Sequence, residues 1–148
     1  MTFMQKLRKS AKEKKGFTLI ELIIVIAIIA ILIALIAPNL VKFLSTAKGT
    51  SVEANAKTAY TSIQTYLTEK ETAGTPVGNA IYKITSDGTN LTVKVGETAN
   101  AAMATDLESY FNAKELTSVE IIAEVGINSA LKKVTWKSNG QTGIYPKE

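Results

Sequence analysis

The feature that most constrains this chain is an apolar stretch running from Phe17 to Ala37, in which Thr18 and Glu21 are the only polar residues. Its 21 residues, at about 1.5 Å of rise per residue, would form a helix of about 31 Å, the thickness of a bilayer's hydrocarbon core. The stretch therefore predicts a membrane-spanning helix. It also places one carboxylate near the start of that helix.

Glu21 is the residue that a simple membrane anchor does not explain. An ionised side chain inside an apolar span costs about 2.5–3.5 kcal/mol or more. We therefore expect Glu21 to have a partner or a specific purpose.

The positive charge of the chain is concentrated in its first residues. The formal net charge is +4, but residues 1–16 carry six basic and one acidic side chain, a net of +5, which leaves −1 for residues 17–148. Basic residues beside an apolar span hold that flank in the cytoplasm, so the part after Leu40 is expected to face outward. The nearly neutral remainder argues against a nucleic-acid-binding face.

Two alternatives share this basic and apolar pattern. A secretory signal peptide has a shorter apolar region and a small-residue cleavage site, whereas here Ala34 and Ala37 lead directly into Pro38. An uncleaved signal-anchor fits the length of the stretch, but it leaves Glu21 unexplained. The signal-anchor therefore stays open as an alternative.

The composition points away from catalysis. The chain has no Cys and no His, which removes the thiolate, the commonest general base and the usual zinc ligands. No phosphate-binding, dinucleotide-binding or hydrolase motif is present. We expect a protein that is not an enzyme and that needs no metal or cofactor.

The helical pattern continues beyond Pro38, which could either end the span or lie inside one long helix. Apolar residues recur at helical spacing on both sides of Gly49. They are Leu40, Val41, Leu44, Ala47, Val52, Ala56, Ala59, Ile63, Tyr66 and Leu67. We predict one helix over about 17–70, with residues 17–38 as its membrane-spanning half.

Residues 71–148 are predicted to form an α+β domain in which the long helix packs on a small antiparallel sheet. A loop at 71–80 precedes short β-rich runs, and residues 99–113 have a helical pattern. The predicted strands are 81–85, 91–95, 119–125, 131–137 and 142–145. Asn139-Gly140 predicts a tight hairpin, and Trp136 and Tyr145 are interpreted as core residues.

The junction Lys15-Gly16-Phe17-Thr18-Leu19-Ile20-Glu21, followed by the apolar run and Pro38, resembles the class III signal of type IV prepilins. The resemblance covers about residues 12–40; the rest agrees with pilins in architecture only. It implies that residues 1–16 are a leader cleaved by prepilin peptidase between Gly16 and Phe17. It also implies that the same enzyme methylates the new amine of Phe17.

The resemblance also implies a role for Glu21. Cleavage creates a cation at Phe17, about one helical turn away, and in this family the decisive pairing is with the amine of a neighbouring subunit. Pro38 is similar to the family's helix-breaking proline, near which the helix unwinds in assembled filaments. The implied partners are other copies of the chain in a helical filament, the peptidase, the pilus assembly platform of the cytoplasmic membrane, and the membrane itself before assembly.

Many pilins close their C-terminal loop with a disulfide, which this chain cannot form; in this it resembles cysteine-free Gram-positive pilins. We expect a major type IV pilin, anchored in the cytoplasmic membrane as a precursor and then assembled into surface filaments for adhesion, twitching motility or aggregation. One alternative is a pseudopilin of a secretion or DNA-uptake machine. A second is an uncleaved single-span surface protein with a ligand-binding outer domain.

Overall fold

The computed structural model describes residues 2–6, 8 and 16–147. The chain divides into two compact units, Met1–Phe43 and Leu44–Glu148. One helix, α1, runs over Leu19–Thr72, a length of 54 residues, and contributes to both units. It begins and ends two residues later than the helix predicted over 17–70.

The second unit is built on a six-stranded antiparallel sheet with the strand order β3-β2-β1-β4-β5-β6. The order places β3 and β6 at the two edges of the sheet. The strands are β1 (Ala80–Ser86), β2 (Leu91–Val95), β3 (Thr98–Ala99), β4 (Val119–Val125), β5 (Leu131–Ser138) and β6 (Gln141–Tyr145). Five of them match predicted strands to within one residue, and the two-residue β3 was not predicted.

The amphipathic half of α1 supplies one side of the core. Its six buried residues are Val52, Ala56, Ala59, Ile63, Tyr66 and Leu67, the stripe predicted from the sequence. Ile84, Val93, Ile121 and Val134 are also almost fully buried, and they alternate along their strands with more exposed residues. Each large apolar side chain removed from water in this way stabilises the fold by about 1.5–3 kcal/mol. The helix and sheet together form the expected α+β arrangement, which is consistent with a pilin-like fold.

A short helix, α2 (Ala101–Leu107), follows β3. The side chain of Asn100 caps it by accepting a hydrogen bond of 3.1 Å from the backbone N–H of Met103. The prediction of a helix over 99–113 was too long because the chain turns after Leu107. There the side chain of Tyr110 packs against Tyr66 of α1, with ring centroids 6.0 Å apart.

Two hairpin turns follow the predicted turn chemistry. Asn139 and Gly140 join β5 to β6 with φ values of 49° and 74°, as a two-residue hairpin with two left-handed residues requires. In the β1–β2 turn the carboxylate of Asp87 accepts hydrogen bonds of 2.7 Å from the backbone N–H groups of Thr89 and Asn90. These bonds hold the pKa of Asp87 below its usual value.

Strand β6 lies unusually close to α1. A β-carbon on Gly143 would be 2.2 Å from the carbonyl oxygen of Val52, so only glycine fits at that position. Two side-chain contacts accompany the close approach: Lys147 pairs with Glu53 at 2.8 Å, and the rings of Tyr60 and Tyr145 meet edge to face. Trp136 and Tyr145 are half-buried, and Trp136 packs against the core as predicted.

Candidate processing and assembly site

The residues predicted for processing lie immediately before α1. Gly16, Phe17 and Thr18 have no regular secondary structure and are exposed. Phe17 is 92% exposed, and a β-carbon on Gly16 would meet nothing within 4 Å. A peptide bond in an exposed segment without regular secondary structure is accessible to a protease. Residues 9–15, which contain four of the basic side chains of the predicted leader, lie outside the described residues.

Glu21 and Thr18 form a reciprocal pair at the start of the helix. The backbone N–H of Thr18 donates to Oε2 of Glu21 at 3.0 Å, and the backbone N–H of Glu21 donates to Oγ1 of Thr18 at 3.3 Å. The carbonyl of Thr18 accepts a hydrogen bond from the N–H of Leu22 at 3.2 Å. Thr18 is therefore the N-cap, and the two residues form a capping box.

The capping box gives Glu21 a partner in the uncleaved chain. It satisfies two N–H groups that a helix start otherwise leaves unpaired, and an N-cap of this kind stabilises a helix by about 1 kcal/mol. The position in the first turn also places the carboxylate at the positive end of the helix dipole. Inside a bilayer these contacts matter more, because lipid offers an unpaired N–H no alternative.

Thr18 is a helix-capping residue that was not among the residues predicted for the site. The signal was present, because Thr18-Leu19-Ile20-Glu21 is the pattern Thr-x-x-Glu before an apolar run.

The first half of α1 leaves its apolar side chains uncovered. Every residue from Gly16 to Phe43 is exposed. By length and composition, α1 is the one helix in the described part of the chain that could cross a membrane. An apolar surface of this size requires lipid or other protein around it.

Pro38 lies inside α1, and the helix continues through it. Proline removes one hydrogen bond of the helix ladder, here the bond to the carbonyl of Ala34. The interpretation of one continuous helix therefore fits the single chain. The unwinding near Pro38 in a filament stays a prediction.

Among the comparisons with known proteins, the one with protein families bears on this segment. Residues 11–37 match the family model described as the prokaryotic N-terminal methylation motif. The match covers the predicted cleavage junction, the capping box and the whole apolar stretch from Phe17 to Ala37. No curated protein and no solved structure gives a significant match to the chain.

The matched motif is the leader motif of type IV pilins and prepilins, which are structural proteins rather than enzymes. It implies processing by prepilin peptidase and a context of pilus assembly. Together, the motif and the apolar half of α1 indicate a precursor that is anchored in the membrane. This chain thus carries the leader motif of type IV prepilins, which supports a pilin-like or pseudopilin-like substrate of prepilin peptidase.

Proposed function

We propose that this chain is the structural subunit of a type IV pilus. The observation that carries the proposal is the methylation motif at residues 11–37, directly joined to a helix whose first half is apolar and uncovered. A bilayer covers that surface before assembly, and the same surface of other subunits covers it in a filament. Burial of apolar area then drives assembly.

In this proposal residues 1–16 are a cytoplasmic leader. Prepilin peptidase cuts between Gly16 and Phe17 and methylates the amine of Phe17. The cut removes a segment with a net charge of +5, which would otherwise have to enter the apolar filament core. The assembly platform of the cytoplasmic membrane then extracts the processed chain, and the mature filament lies on the cell surface for adhesion, twitching motility or aggregation.

The new amine of Phe17 would form within reach of Glu21. In the uncleaved chain the carboxylate of Glu21 already accepts from the N–H of Thr18 at 3.0 Å, and the nitrogen of Phe17 is one residue away. In the filament, Glu21 pairs with the Phe17 amine of a neighbouring subunit. A buried charge left without such a partner typically costs about 3–5 kcal/mol, so Glu21 would make assembly depend on a correctly processed neighbour.

The capping box allows the charge of Glu21 to be tested separately from its cap. Glu21→Gln keeps a side chain that can complete a capping box but removes the charge, whereas Thr18→Ala removes the reciprocal cap and keeps the charge. We expect Glu21→Gln to be cleaved normally and to yield no filaments when it is the only copy. We expect Thr18→Ala to assemble.

The measurement is the amount of processed chain in the fraction sheared from cells, together with electron microscopy of that fraction. Normal filaments from Glu21→Gln would contradict the pairing. Abundant long filaments from the wild type support a pilus, whereas short, membrane-associated assemblies would indicate a pseudopilin.

A further inference from the structure

The charged residues of the second unit are divided between the two edges of its sheet, with more carboxylates at one edge and more lysines at the other. Residues 44–147 contain ten lysines and ten carboxylates, so the unit is neutral as a whole. The carboxylates are enriched beside β2, β3, α2 and the end of α1. The lysines are enriched beside β5 and β6, at the other edge of the sheet.

The acidic edge combines six carboxylates with three lysines, a net charge of −3. It consists of Glu69, Glu71, Asp87, Glu97, Asp106 and Glu108, with Lys70, Lys94 and Lys114. The β1–β2 turn and Lys114 belong to this edge because Gly88, Thr89 and Lys114 line the same cleft as Glu108.

Several carboxylates of the acidic edge form no ion pair within the described residues. Asp106 pairs with Lys70 at 2.6 Å, but Glu71, Glu97 and Glu108 are exposed. Across the residues that the structure describes, these three form no ion pair. Their charge is therefore available to a partner.

The basic edge combines five lysines with three carboxylates, a net charge of +2. It consists of Lys57, Lys132, Lys133, Lys137 and Lys147, with Glu53, Glu120 and Glu124. Glu120 is shared by Lys137 at 3.4 Å and by Lys83 of β1 at 3.1 Å, so it neutralises neither lysine fully. Lys132 is exposed and has no ion pair within residues 16–147.

The basic edge also presents an open strand. β6 is the last strand of the sheet and pairs on one side only, with β5. Ile144 on β6 is 39% exposed, which adds apolar contact area to the positive charge. The two-residue β3 at the acidic edge offers far less backbone for pairing.

We propose that the acidic edge of one copy binds the basic edge of the next copy. This inference rests on the proposed function, because it concerns how filament subunits meet outside the helical core. A contact between two different surfaces of the same chain is heterologous, and such contacts propagate into open filaments when the rotation does not close a ring. Opposite charges steer that contact and fix its register, and like charges disfavour the reverse arrangement.

The test reverses each edge separately and then both together in the full chain, expressed as the only copy. Glu97→Lys with Glu108→Lys changes the net charge of the acidic edge from −3 to +1, and Lys57→Glu with Lys132→Glu changes that of the basic edge from +2 to −2. We expect either pair to lower the sheared filament fraction about tenfold near physiological ionic strength, because like charges then meet at the contact. We expect the four changes together to restore filaments, because the edges are again complementary and the net charge is that of the wild type.

Glu115→Lys is the matched control for Glu97→Lys. Both residues are exposed carboxylates, but Glu115 belongs to neither edge, so we expect it to leave the filament yield unchanged. The melting temperature of each purified precursor in detergent checks that the unit is folded.

The outcomes separate this inference from the proposed function. Wild-type levels of filaments from both edge reversals, or no recovery in the fourfold variant, would overturn the charge contact and leave the pilus intact. If the wild-type chain itself formed no extracellular filaments, both the pilus and this contact would be overturned.

Discussion

At the scale of single residues, Gly143 determines how closely the sheet approaches the long helix. A β-carbon there would lie 2.2 Å from the oxygen and 2.3 Å from the carbon of the Val52 carbonyl. These are backbone atoms of α1, so they cannot move aside as the end of a flexible side chain could. The glycine is required by packing, since its backbone needs no left-handed conformation.

We expect Gly143→Ala to lower the free energy of unfolding by about 1–3 kcal/mol, because it overpacks the contact between β6 and α1. Thermal unfolding of the full chain in detergent, followed by circular dichroism, measures the effect.

Gly49→Ala is the matched control for this prediction. A β-carbon on Gly49 meets nothing within 4 Å, and alanine in a helix is favoured over glycine by up to about 1 kcal/mol. This variant should therefore be neutral or more stable. Equal stability of Gly143→Ala and the wild type would show that β6 is free to move away from α1.

The sequence predicts residues whose roles depend on local periodicity. The six buried residues of α1 follow from helical spacing alone, and the Asn139-Gly140 turn follows from the backbone preferences of those two residues. Gly143 could not be predicted, because its role depends on Val52, which is distant in the chain. Thr18 could have been predicted from the Thr-x-x-Glu pattern.

At the scale of elements, the end of α1 is joined to α2 and to the turn after it. Lys70 of α1 pairs with Asp106 of α2 at 2.6 Å. Tyr110 donates a hydrogen bond to the carboxylate of Glu69 and packs against the ring of Tyr66. Burial and the neighbouring carboxylate of Asp106 raise the pKa of Tyr66 from 10.0 to about 12.

The raised pKa of Tyr66 predicts a loss of stability at high pH. Below pH 10 this phenol is neutral in both the folded and the unfolded chain, so it makes no pH-dependent contribution. Between pH 10 and about pH 12 the unfolded chain releases the proton first, so the free energy of unfolding falls as the pH rises. We expect Tyr66→Phe to show a shallower fall across this range in denaturant titrations of the full chain.

Asp106→Asn provides the corresponding control, because it removes the carboxylate that adds to the effect of burial. The pKa of Tyr66, followed by phenolate absorbance, should then move back toward its usual value. An identical pH profile for the wild type and Tyr66→Phe would contradict the coupling between Tyr66 ionisation and folding.

The elements themselves could be predicted better than their contacts. Alternating apolar and polar residues and the turn residues between them gave the strands β1, β2, β4, β5 and β6 to within one residue. The excess length predicted for α2 has a nonlocal cause, since Tyr110 is held by residues of α1 that lie about forty positions earlier. β3 is only two residues long, too short for a pattern of alternation.

At the scale of the whole molecule, the chain combines a basic head, an uncovered apolar helix half and a second unit that is neutral over residues 44–147. The first two could be predicted from the sequence, because net charge and hydropathy need no tertiary information. The division of the second unit into an acidic and a basic edge could not be predicted, because it depends on the order of the strands in the sheet. Glu97 and Lys132, for example, lie toward opposite edges only because β1 and β4 are neighbours.

Mass spectrometry of the N-terminal peptide from material sheared off intact cells tests cleavage, methylation and assembly in one experiment. We expect an abundant peptide that begins at Phe17 and carries one additional methyl group on its amine. A chain that keeps residues 1–16 and is found only in the membrane fraction would contradict processing and assembly, and would indicate a simple membrane anchor.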